Sequence, residues 1–144
     1  MDFIKLECEH INEMYSIRFS VTENPVHAHQ IQFLQRDQVL EDISYGGGWI
    51  CKINEQYVGY GLGIRIPHPL IGGLFVRPEY QKMGIGSEIL SNITDWFFSS
   101  GDEQIELTTD VCSSAVLFYK KRGWFTDGLD EFGQQIMRKR SNGK

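Results

Sequence analysis

The chain has 144 residues, 41% hydrophobic and 12% aromatic, with a formal charge of −5. That length suits a single domain (residues 1–144) with a core of its own. The acidic balance argues against nucleic acid as a bulk partner and leans toward a cationic substrate, with ordinary solubility as the broader account.

No apolar run approaches the ~20 residues that span a membrane, so no membrane partner is expected. Cys8, Cys51 and Cys112 are scattered and odd in number. No Cys-x-x-Cys or Cys/His cluster suggests zinc, and the start Met-Asp-Phe-Ile-Lys lacks a secretory pattern. A reducing cytoplasm and no metal are expected. The basic end, Arg138-Lys139-Arg140 with Lys144, reads as a solvated tail.

In chain order, Phe3 to Leu6 is a short strand and Glu9 to about Ser20 a helix with Ile11, Met14/Tyr15 and Ile17 inward. Asn24-Pro25 breaks it, because the residue before proline avoids helix. A second helix is predicted from about His27 to Leu40, with Ile31, Phe33/Leu34 and Val39 apolar. Gly46-Gly47-Gly48 is a loop. Trp49–Ile53 and Tyr57–Ile66 form a hairpin through Asn54-Glu55-Gln56. Pro67-His68-Pro69 is a corner, and Leu70–Val76 is a strand that ends before Pro78. Gly72-Gly73 inside it suggests a bulge or a close packing contact. Ile85 to about Ser99 repeats Ile85, Ile89, Ile93 and Trp96/Phe97, one face of a helix. Gly101-Asp102 stops it. Ile105, Leu107 and Thr109 alternate with polar residues as a strand. Ser113 or Ser114 caps a helix that runs to Arg122 and ends at Gly123. Trp124–Asp127 and Gln134–Arg140 are late strands. The order β-α-α-β-β-β-α-β-α-β-β is an α/β mixture on a single layer of sheet.

The chemistry is organised around Val76-Arg77-Pro78-Glu79-Tyr80-Gln81-Lys82-Met83-Gly84-Ile85-Gly86. Gly84 and Gly86 let the backbone come close to a ligand. The first turn of the following helix offers free N–H groups and the positive end of its dipole. That is an anion site, suited to phosphates. A dinucleotide loop wants Gly-x-Gly-x-x-Gly straight after a strand, but Ile89 holds the third position and a Pro-Glu-Tyr turn intervenes. Glu106 does sit where that fold would place its ribose contact. A triphosphate loop needs a terminal Gly-Lys-Ser/Thr, and the chain has none.

Val76-x-Pro78-x-x-Gln81-x-x-Gly84-x-Gly86 resembles the acetyl-CoA signature of the GNAT N-acetyltransferase superfamily, Gln/Arg-x-x-Gly-x-Gly/Ala. Thr109 to Trp124, with Ala115, Tyr119 and Gly123, looks like the family's second segment, Asn-x-x-Ala-x-x-x-Tyr-x-x-x-Gly-Phe. Two segments in this order are a stronger signal than either alone. The resemblance implies a GNAT-like mixed α/β fold and acetyl-CoA as acyl donor, with a small-molecule or peptide amine as acceptor. It leaves monomer or homodimer open.

The resemblance also implies roles. Phase by phase along the chain, Phe75 and Val76 would pair with the pantetheine arm like an added strand, with a backbone N–H near Phe75 facing the oxyanion. Gln81, Lys82, Met83, Gly84, Ile85, Gly86 and Ser87 would hold the pyrophosphate. Gln81 stands where many relatives carry arginine, so Lys82 would supply the charge. Tyr119 takes the position of the acid that protonates the leaving thiolate. Cys112 stands where asparagine is common and cannot make the same amide contacts. The general base stays open among Glu106, Asp110, His68 and a water relay. Glu23, Asn24 and His27 would wall the acceptor side. Glu23 would suit an ammonium group, with a helix-end charge as the plainer account. A non-catalytic acyl-CoA sensor of the same fold is the alternative to an enzyme.

Overall fold

The computed structural model describes residues 1–141, and Lys144 lies outside them. Seven strands form one sheet: β1 (Asp2–Lys5), β2 (Gly48–Ile53), β3 (Gln56–Ile64), β4 (Leu70–Val76), β5 (Gln104–Thr109), β6 (Phe125–Leu129) and β7 (Gln135–Arg140). Their order is β1-β2-β3-β4-β5-β7-β6. Neighbours are antiparallel except β4 and β5. Helices α1 (Ile11–Ser20) and α2 (Arg36–Ser44) pack on one face, and α3 (Ile85–Ser99) and α4 (Ser114–Lys120) on the other. This is the mixed α/β architecture that the element order predicts.

The β2–β3 hairpin turns on Asn54 and Glu55, both with positive φ (48° and 72°). Two successive left-handed residues match the right-handed strand twist. On β3, Tyr60 and Leu62 face α1 and α2, while Gly61 and Gly63 face α3. A Cβ on Gly61 would lie 2.6 Å from Ile89 Cγ2, and one on Gly63 2.8 Å from the Phe97 ring. The missing side chains let α3 lie close to the sheet. Ile85, Ile89, Ile93 and Phe97 are all buried there. Each contributes about 1.5–3 kcal/mol of apolar burial.

The expected helix from His27 to Leu40 is divided in two. A 3-10 segment runs Ala28–Leu34, Gln35 turns extended at ψ 141°, and α2 starts at Arg36. Two interactions favour the break. His27 and Gln30 cap the short segment reciprocally, and the Tyr15 hydroxyl donates to the Leu34 carbonyl at 2.8 Å. That carbonyl would otherwise accept a helical N–H. Ile31 and Phe33 end up exposed, and Val39 is buried. The residues Arg138–Arg140 are not a tail. They belong to β7, between β5 and β6.

Strands β4 and β5 pair where Leu70, at the start of β4, is opposite Glu106, and Glu106 N–H donates to the Pro69 carbonyl at 3.1 Å. Beyond that point β5 pairs with β7 and diverges from β4. The register of β4 on β3 jumps from Leu62–Gly73 to Gly63–Ile71, so Gly72 is the extra residue of a bulge. The divergence opens the sheet at its middle.

Candidate active site

The opening between β4 and β5 is a cleft of about 360 Å³ that passes through the sheet. Met14, Arg18 and Tyr60 line it from the α1 and α2 side, and Ala115 and Tyr119 from the α4 side. The free edge of β4 forms one wall. Arg77 N–H donates to the Val58 carbonyl at 2.8 Å, which sets the alternation of the β3–β4 ladder. Phe75, opposite Tyr60, therefore directs its N–H and C=O at β3, whereas Leu74 and Val76 direct theirs at the open edge. The donor expected near Phe75 thus belongs to its neighbours, not to Phe75 itself.

At the end of β4, Gln81 Nε2 donates to the Val76 carbonyl at 3.0 Å and closes the turn. Lys82 and Gly84 adopt positive φ, 66° and 86°. Gln81, Lys82, Met83 and Gly84 are exposed, and Ile85 is buried and anchors the first turn of α3. The free amides of Ile85, Gly86 and Ser87 face outward beyond this turn. A Cβ on Gly84 would meet nothing within 4 Å, so the approach is open. This cradle suits a diphosphate: it offers several N–H donors, the positive dipole end, and no acidic residue before Glu88.

Arg122, which motif spacing does not single out, completes the cradle. Its Nε donates to Ser87 Oγ at 3.1 Å and its NH1 to the Phe118 carbonyl at 2.8 Å. A cation four residues after an aromatic on one helical face is the signal that could have found it.

Tyr119 is buried on the α4 side of the cleft, edge-on to Phe118 and to Trp124. Burial among these rings pushes its phenol pKa up. The hydroxyl stays protonated at every physiological pH, as an acid for a thiolate must.

The other polar candidates are engaged elsewhere. Glu106 accepts from Arg138 NH2 at 2.8 Å and sits 3.1 Å from His68 Nε2. Glu106 and His68 thus pair with each other away from the cleft, in a shallow depression with Pro69, Gln104 and Arg138. Asp110 Oδ1 lies 2.8 Å from His27 Nε2 and accepts from Gln134 Nε2 at 2.9 Å. Glu23 accepts from the N–H and hydroxyl of Ser114, which caps α4 and lowers the Glu23 pKa. Asn24 Oδ1 accepts from Thr109 Oγ1 and from the Asp110 N–H. The segment from Glu23 to His27 is therefore a latch on the end of β5, and the Glu23 carboxylate is a helix cap. Cys112 is exposed, at φ 59°.

A seven-stranded mixed sheet split between β4 and β5, with an open glycine turn at the start of α3 and a protonated phenol at the split, fits an acyl-transferase architecture. The sequence matches the Acetyltransferase (GNAT) family model over residues 9–124. The chain belongs to that family. It resembles the PaiA N-acetyltransferase of Thermoplasma acidophilum, solved with coenzyme A, at 17% identity and TM-score 0.79, over 97% of this chain and 98% of that one. It resembles a ribosomal-protein-alanine N-acetyltransferase of Brucella melitensis at 15% identity and TM-score 0.78, over 98% and 100%. A GNAT-family acetyltransferase of Staphylococcus aureus Mu50 aligns at 18% identity and TM-score 0.77, over 96% and 98%. No curated protein matches the chain in sequence. Likeness at these identities carries the fold. The largely antiparallel sheet and the engagement of Glu106 with Arg138 and His68 leave no place for a dinucleotide domain. Among the described residues no helix is long and apolar enough to cross a membrane.

Proposed function

We propose that this protein is an acetyl-CoA-dependent N-acetyltransferase of one domain that acts on a primary amine of a small molecule or peptide. The observation that carries the reading is that the free β4 edge and the Tyr119 phenol line one cleft, while β4 itself runs on through Val76 into the Gln81–Ser87 turn at the start of α3. Family membership and relatives solved with coenzyme A support it.

In this reading the amides of Ile85, Gly86 and Ser87 hold the diphosphate, with Lys82 and Arg122 adding charge. The pantetheine arm lies along the Leu74–Val76 edge. A neutral amine attacks the thioester carbonyl, the C–N bond forms, and an edge N–H of Leu74 or Val76 steadies the oxyanion. The C–S bond then breaks and Tyr119 gives its proton to the sulfur. Water restores the phenol. The amine's own proton leaves through water, because Glu106, His68 and Asp110 are held by other partners. Three free cysteines fit a reducing, cytoplasmic setting.

Calorimetry with acetyl-CoA, followed by thiol release with a panel of amines, tests the proposal. Binding and turnover support it. Absence of binding ends it, and tight binding without thiol release against any amine favours an acyl-CoA sensor instead.

A further inference from the structure

Arg18 is 7% exposed and lines the cleft from α1. Its guanidinium lies 4.0 Å from the Phe75 ring centroid, and NH2 donates to the Asn24 carbonyl at 3.1 Å. That bond uses one of five N–H donors. Among the described residues no carboxylate lies within ion-pair distance of it. Yet its remaining nitrogens are not sealed in the interior. They open onto the cleft, the space that Arg18 lines.

A desolvated guanidinium with no ion-pair partner is costly, and burial lowers the pKa of this arginine against a smaller opposing influence of Tyr60 and of Asp110, which itself is bonded to His27 and Gln134. In a chain of net charge −5 its lack of an ion-pair partner is the more unusual. The acidic groups of the same cleft are already engaged. Asp42 accepts from Gln38 Nε2, and Asp130 accepts from the N–H groups of Phe132 and Gln134. Tyr60, buried on the same face and 5.9 Å from Phe75 between ring centroids, has a hydroxyl with no hydrogen-bond partner among the described residues. Guanidinium and phenol together present a fork of donors beside the β4 edge.

We propose that Arg18, assisted by the Tyr60 hydroxyl, binds a carboxylate of the acceptor, so that the substrate is an amine that also carries an acid group. Arginine suits this because its planar fork matches a carboxylate in two parallel hydrogen bonds. The carboxylate would supply the missing counter-charge and hold the amine end toward the free edge of β4. The proposal rests on the N-acetyltransferase reading above and names the acceptor class for the same site.

The test uses the full chain, saturating acetyl-CoA, and α- and ω-amino acids each paired with its own carboxamide. Wild-type protein should favour the acid over the amide by about ten- to a hundredfold in kcat/KM. Arg18→Gln should bring that ratio near unity, chiefly through KM, and leave acetyl-CoA affinity within about twofold. Arg18→Lys should keep part of the preference. The wild-type comparison needs no variant, so a misfolded Arg18→Gln does not weaken the test. Equal use of acid and amide by wild-type protein overturns the inference and spares the transferase reading. A large loss of acetyl-CoA affinity in a folded Arg18→Gln also overturns it, because Arg18 would then serve the cofactor. No turnover of any amine overturns both.

Discussion

Arg122 stacks on Phe118, its guanidinium 3.8 Å from the ring centroid, with Nε hydrogen-bonded to Ser87 at the first turn of α3. The ring and the serine hold the side chain so that its charge stands beside the amides of the cradle. A cation fixed in advance loses little rotamer freedom when an anion arrives.

Arg122→Ala should therefore weaken acetyl-CoA binding by about tenfold in calorimetry at low salt. The difference from wild type should shrink as salt rises, because screening acts on the charge that was removed. A salt-independent loss would mean that Arg122 matters only through packing on Phe118.

Tyr119→Phe should lower kcat by about a hundredfold or more while acetyl-CoA affinity changes little. The buried phenol also makes a prediction about alkali. Its folded pKa lies above the ordinary value of about 10 because burial disfavours the phenolate. A group with a raised folded pKa contributes stability that is complete below its unfolded pKa and is lost as pH rises through that value toward the folded one. Wild-type protein should thus lose stability above about pH 10, and Tyr119→Phe should lose less over the same range. Parallel melting curves for the two proteins would remove the phenol from this account. Tyr60, buried and also raised, contributes in the same direction.

Trp124 is buried, and its indole Nε1 has no hydrogen-bond partner among the described residues. An orphan buried donor costs about 1–3 kcal/mol, which opposes the extra apolar area of the indole. Trp124→Phe should consequently leave urea stability unchanged or raise it by about 1 kcal/mol. A loss of that size instead would show that the indole area outweighs the stranded N–H.

Cys112 holds a left-handed backbone at φ 59° with its side chain exposed. Asparagine tolerates that conformation better than cysteine because its short amide can bond the local backbone. Cys112→Asn should raise the melting temperature, by about 0.5 kcal/mol of stability. A lower Tm would indicate a role for the thiol that its exposed position does not suggest.

Local signals carried far in this chain. The stripe Ile85, Ile89, Ile93 and Phe97 defined α3 because a helix must bury one face, and all four residues do lie inside. The run Leu70–Val76 and the glycines after Pro78 located the cradle, since a strand, a left-handed turn and a helix start each leave their mark on neighbouring residues. Tyr119 was singled out by the resemblance of Thr109–Trp124 to the family's second segment, and the structure buries it on the cleft.

The sequence by itself determined most of the elements, the mixed α/β class and the glycine turn that opens α3, because these depend on contacts three or four residues apart. Tertiary structure alone decided which polar groups remain free. Glu106 and His68, open candidates on paper, meet each other and Arg138. Glu23 reaches across to cap α4, and the helix expected through Leu34 breaks where Tyr15 takes the carbonyl. Arg18, unremarkable in its own helix, is left without an ion-pair partner among the described residues while lining the cleft. A charge finds its partner across tens of residues of chain, at positions set by how the sheet splits between β4 and β5. No local period records that distance.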